Sequence, residues 1–383
     1  MHLTPARIAQ IAGFLLSAVA GGYMWTQWLL AGPERRELMW PLYGRFTALL
    51  ACGSVLGTVA WSANIGNYYY EIVANKMLDY LQADAPDYSI RRSQIQTMFA
   101  LSNYWWAAWM VVYALEFPMV CVAKLTVLFR MLEFAAPRAS GELRHRLALF
   151  LRVVMAVVIL GSVVGFCGNA AAASAAVTTA HFYTQAAAAY ASNSTAQGFA
   201  FENQASAQNS HANMVISVQQ FSEVVVLLII ILAFFVAGTL CARRLMASKI
   251  DHSKLSRLIR QIFATIAVIF ITFLLRSVFA TLNAVTQLLQ NSDVATLCGL
   301  CRIDPIITAT GSTSCNNIYS VIQNWITFTP EFELLVVLIS SPLSLLVSLW
   351  GMTSDNTRRI LNERKLEGKV EASMGVIDQS FRM

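Results

Sequence analysis

Residues 224–242 read VVVLLIIILAFFVAGTLCA and are followed at once by Arg243-Arg244. The nineteen residues carry no charge. At about 1.5 Å per helical residue, they match the roughly 30 Å hydrocarbon core of a bilayer. The run is continuously apolar and does not alternate with a period of two, so it reads as a spanning helix and not as a barrel strand. The arginine pair marks the end that stops among headgroups, because Lys and Arg gather on the cytoplasmic side.

Comparable runs recur on either side of this one. They are Ile8 to Pro33, Phe46 to Tyr70, Ser93 to Leu115 with an extension past Glu116 and Lys124 to Arg130, Val153 to Phe201, Gln261 to Gln290 interrupted by Arg276, and Leu334 to Ser354. Composition agrees: 57% of the 383 residues are hydrophobic and 13% charged, about half the charge a soluble surface carries. The expected fold is an all-α polytopic membrane protein. Its seven transmembrane helices cover approximately residues 8–31, 42–63, 99–130, 148–170, 222–242, 260–284 and 331–351. Ala18-Val19-Ala20 looks like a signal-cleavage site, but the apolar stretch runs on through Leu30, past the roughly 7–15 residues of a signal core, so it counts as the first span.

Placing the N-terminus outside and the C-terminus in the cytoplasm puts 21 of the 27 Lys and Arg residues on the inner side and five outside, with Arg276 in a span. That asymmetry sets the orientation. It also explains the net charge of +6 without nucleic acid as a partner. The bilayer is the expected partner, in the plasma membrane or another membrane of the secretory pathway. A cytoplasmic tail over 352–383, with Arg358-Arg359 and Arg364-Lys365 among helically spaced apolar residues, suits anionic lipid or a cytosolic protein. The oligomeric state is left open.

Outside, Asn64 to Thr97 carries Tyr70, Val73, Met77 and Tyr80-Leu81 at helical spacing. This predicts either an amphipathic surface helix or an extension of the second span. The stretch from about 170 to 220, rich in Ala, Ser, Gln and Asn and almost devoid of charge, predicts an outer helical hairpin capped near Gly198. Asn193-Ser194-Thr195 within it is an N-glycosylation acceptor pattern. Cys298, Cys301 and Cys315 fall in the last outer loop and Cys167 near the outer end of the fourth span. These four are candidates for disulfides of undetermined connectivity. Cys298 and Cys301 form a C-x-x-C without a second pair or a histidine cluster, so no metal site and no cofactor are expected.

Ionisable groups at membrane depth are costly, and each is a functional candidate. Glu116 and Arg276 are expected to pair or to share a polar cavity, as a ligand or pathway site or as a static link between helices. Glu223, Glu331 and Glu333 sit before apolar runs. There they form an acidic outer mouth or simply complement helix N-termini. No phosphate loop, zinc-protease motif or nucleophile elbow is present, so the chain is not expected to be an enzyme. Its topology resembles that of G-protein-coupled receptors. Val127-Leu128-Phe129-Arg130-Met131 and Ser340-Ser341-Pro342, however, stand where those receptors carry their signature motifs. The expected function is a receptor-like protein that binds an external ligand and signals through basic inner loops. The alternatives are a transporter or channel built on Glu116 and Arg276, and a structural or scaffold subunit.

Overall fold

The computed structural model describes residues 3–32, 43–81, 86–135, 141–246 and 252–290, together with Val336. The described chain is all-helical: α1 Leu3–Leu30, α2 Tyr43–Asp79, α3 Tyr88–Ala135, α4 Gly141–Ala191, α5 Thr195–Met246 and α6 His252–Gln290. Five of these six are long and apolar enough to cross a membrane. Those stretches are Tyr43–Asp79, Tyr88–Phe129, Ala148–Ala191, Thr195–Leu240 and Ile266–Val285. This is an integral membrane protein whose helices contact lipid. The first helix of the sequence reading, α1, is not among the five. The proposed seventh span, the 352–383 tail, Glu331, Glu333, Cys298, Cys301 and Cys315 lie outside the described residues.

Successive helices run antiparallel, each packed on the next. Small residues allow the close approach. A Cβ on Gly57 would sit 2.4 Å from the Phe14 ring of α1, and one on Gly66 would sit 2.8 Å from the Trp105 ring of α3. Gly53 faces Val120 of α3, and Gly161 lies under Val226 of α5. These four glycines thus pack within the chain. Trp61 is buried between α1 and α3, against Phe14 and Trp109, and does not anchor at the interface.

Helix α4 and helix α5 form a long antiparallel hairpin with a seven-residue period. Val158, Gly165, Ala172, Thr179 and Ala186 are buried along α4, and Gly198, Ala205, Ala212, Gln219, Val226 and Ala233 along α5. A strict seven-residue repeat of inward positions keeps one seam facing its partner and coils the pair left-handedly. Alanine and glycine on that seam bring the backbones close. The reversal falls at Ser192–Ser194, ahead of Gly198. Asn193 adopts φ 60°, the left-handed conformation that Asn tolerates best after Gly. The Asn193 N–H donates to the Tyr190 carbonyl and the Ser194 N–H to that of Ala189, the two bonds of a Schellman cap. Ser194 then opens α5, its carbonyl accepting from the Gly198 N–H at 2.9 Å.

The apolar surface marks the lipid belt. Exposed large hydrophobics cluster from Leu149 to Phe166 on α4 and from Met214 to Phe235 on α5, with Val177 and Phe199 isolated beyond them; the clusters cover about 26 and 32 Å of helix. Beyond that belt α4 and α5 continue for roughly 30 Å with a mainly polar or alanine surface. The start of α3 packs beside them, so three helices make a projecting stalk. Helix α2 runs unbroken to Asp79, so its outer part extends the span and no separate surface helix forms.

Candidate functional site

Helix α3 carries Tyr113, Glu116, Phe117 and Lys124 along one face, at intervals of three, one and seven residues. Glu116 lies midway along the exposed apolar band that Tyr104 and Phe129 bound on this helix. Pro118 sits inside the helix; lacking an N–H, it leaves the Ala114 carbonyl without its usual donor. Glu223 comes from α5, and Arg276 and Phe273 come from α6. All are buried: 1% exposed for Glu116, 2% for Lys124, 3% for Glu223 and 8% for Arg276.

Three of these groups form a closed hydrogen-bonded node. Arg276 Nε donates to Glu223 Oε1 at 3.1 Å, and Arg276 Nη2 donates to the Tyr113 hydroxyl oxygen at 2.8 Å. The Tyr113 hydroxyl in turn donates to the Glu223 carboxylate, 2.8 and 2.9 Å from its two oxygens. The guanidinium carbon also lies 5.4 Å from the Phe117 ring centre and 5.7 Å from that of Tyr113, within cation–π range. A guanidinium suits this node because its planar fork satisfies two acceptors at once.

Sequence reasoning named Arg276, Glu223 and Glu116 but divided them differently. Glu223 is not at a helix start or an outer mouth. Because α5 begins at Thr195, the carboxylate lies many turns inside it and forms the ion pair with Arg276. Glu116 is in the same neighbourhood, one helical turn from Tyr113, and feels the charges of Arg276, Glu223 and Lys124. Its Oε1 is buried with no hydrogen-bond partner. Lys124 does not reach out to headgroups; its ammonium rests 4.0 Å from the centre of the Phe273 ring. Tyr113 was missed. No local motif marks it, and it is found only when α3 and α5 are set side by side.

These two helices run parallel with a fixed offset. Tyr113 meets Glu223 110 residues on, and far outside the belt Arg92 meets Glu202 at the same separation. That second link is bidentate, with Nε to Oε1 at 2.8 Å and Nη2 to Oε2 at 2.7 Å. Gln96 Nε2 donates to the same carboxylate. The Glu202 carboxylate holds the Arg92 guanidinium above its ordinary range. Ser89 donates to Asn193 Oδ1 at 2.7 Å, and Phe99 stacks on Tyr183 with 5.5 Å between centres.

A polar stripe joins the stalk to the node. Asn213, Ser217, Gln220 and Glu223 follow one another on α5 at helical spacing, and Ser217 donates to the Ala284 carbonyl of α6 at 2.8 Å. By the shared offset, Asn213 is level with the outer edge of the α3 belt. From that level to Lys124 the column spans roughly 30 Å. Cys121 is buried beside it, and Cys52, Cys121 and Cys167 are free thiols. Among the described residues no group of His, Cys, Asp and Glu side chains is arranged to hold a metal ion. Comparison with protein-family models, with curated proteins and with solved structures finds no match to this chain.

Proposed function

We propose that this chain is a multi-pass membrane transporter or channel that moves a small polar species along the column between α3, α5 and α6. The observation that carries the reading is the column itself: Asn213, Ser217, Gln220, Glu223, Glu116 and Lys124 at successive depths across the lipid belt. Burying two carboxylates, an ammonium and a guanidinium in hydrocarbon is expensive, and such groups gather on ion and substrate paths. A static packing link needs one pair, not four ionisable side chains at three depths over roughly 17 Å of helix. We place the chain in the bilayer as seven spans with the stalk outside and the exposed Arg45, Arg146, Arg152, Arg243 and Arg260 at the cytoplasmic face, in the plasma membrane or elsewhere in the secretory pathway. It acts without covalent catalysis. Purified protein in liposomes tests the reading. Flux of a small ion that Glu116→Gln reduces at least tenfold supports it, whereas tight vesicles with folded wild-type protein rule it out.

The receptor reading keeps one specific support. The same uninterrupted α3 and α5 carry both the stalk and the buried node, so a partner that displaces the stalk also strains Glu223 against Tyr113. Spin labels at positions 129 and 243, near the inner ends, test this coupling. The inner separation shifts on Arg92→Ala if the stalk is coupled to the inner face, and stays fixed if it is not.

A further inference from the structure

Three side chains along the column hold buried polar atoms without a protein partner. They are Glu116 Oε1 on α3, Gln220 Oε1 on α5 and Ser277 Oγ on α6. Buried polar atoms are almost always paired, and a run of exceptions marks places where water completes the bonding. The shared offset of α3 and α5 orders them by depth. Gln220 lies about one turn outward of the Glu223 node, Ser277 beside it, and Glu116 about one turn inward.

The buried ionisable groups then select what can travel. Arg276 and Lys124 are two basic side chains held in the column, one at the node and one inward of Glu116, and each lies against an aromatic ring. An alkali cation stripped of water would have to pass both at close range in a poorly screened interior. An anion would meet Glu223 and Glu116 in the same way. A proton need not travel as an ion, because it is handed between hydroxyls, waters and a carboxylate. The titratable groups along the column are Tyr113, Glu116, Cys121 and Lys124 from α3, Glu223 from α5 and Arg276 from α6.

We infer that the transported species is a proton and that Glu116 is the group that carries it between outer and inner water. This rests on the transport reading above. In each passage a hydronium on one side gives its proton to Glu116 Oε1. The carboxylic acid then releases that proton to water on the other side, so Glu116 ends as it began. The Tyr113–Glu223–Arg276 node holds the outer water in place and takes no net proton.

The test uses full-length protein in sealed liposomes that contain a pH-sensitive dye, with a potassium gradient and valinomycin setting the membrane potential. Wild-type vesicles should acidify when the interior is negative. Glu116→Gln should slow this at least tenfold, and Glu116→Asp should retain part of the rate. Ser277→Val serves as a second variant that leaves every charge in place; it should also slow acidification by breaking the chain of waters. Sodium, potassium or chloride flux without proton flux overturns this inference and leaves transport standing. Absence of all flux overturns both. Proton flux unchanged in folded Glu116→Gln overturns the role of Glu116.

Discussion

At the scale of single residues, the node behaves as a unit because each member satisfies another. Removing Arg276 alone leaves the buried Glu223 carboxylate without its ion-pair partner, held by the Tyr113 hydroxyl. Breaking one side of a buried pair costs about 3–5 kcal/mol, whereas replacing both partners with apolar groups of similar volume is near neutral. Arg276→Met should therefore destabilise the protein strongly, and Arg276→Met combined with Glu223→Leu should recover most of that loss, measured as unfolding in detergent. Equal destabilisation by the single and double variants would mean that the charges do not compensate each other. Glu116 and Arg276 stand out in the sequence because an ion in an apolar run is costly, whether it serves a ligand or a static link between helices. Glu223 was legible as a residue but not as a position. It precedes VVVLLIII, and a helix start there looks the same as the middle of a helix whose earlier turns are merely polar.

At the scale of elements, the α4–α5 hairpin depends on a seam of small side chains. A Cβ on Gly161 would lie 2.1 Å from Val226 Cγ2. Gly161→Leu should thus force the helices apart at a cost of about 1–3 kcal/mol, and Val226→Ala should relieve much of it. Thermal unfolding of the two single variants and the pair checks this. At the turn, Asn193 holds φ 60°. Asn193→Ala should cost on the order of 1 kcal/mol and Asn193→Gly little or nothing. The hairpin's helicity was readable from its alanine content, whereas its cap was expected near Gly198 and the reversal falls at Ser192–Ser194. What sequence could not give is the partner of the seam: alanine repeats fit many helices, and the parallel contact of α3 with α5 joins segments that are distant along the chain. The sequence left the long run of α2 open between two forms for a related reason. Apolar residues at helical spacing describe a helix lying on a membrane and one leaving it equally well.

At the scale of the whole molecule, alternation of the helices sorts the charges to one face. A cysteine introduced at Arg243 should react with a membrane-impermeant thiol reagent only after cells are permeabilised, and one introduced at Thr195 should react on intact cells, both in a background lacking the native cysteines. The reverse pattern would invert the proposed orientation. Asn193 is exposed at the stalk tip, far from the apolar belt. Glycosylation there should appear as a single mobility shift that Asn193→Gln and Thr195→Ala both abolish. The common offset of Arg92–Glu202 and Tyr113–Glu223 also restricts how the gene can change. Inserting one residue into α5 between the two rungs would turn everything below it by about 100° and aim Glu223 away from both its partners, while leaving the stalk intact. Between those rungs the two helices must therefore keep equal length.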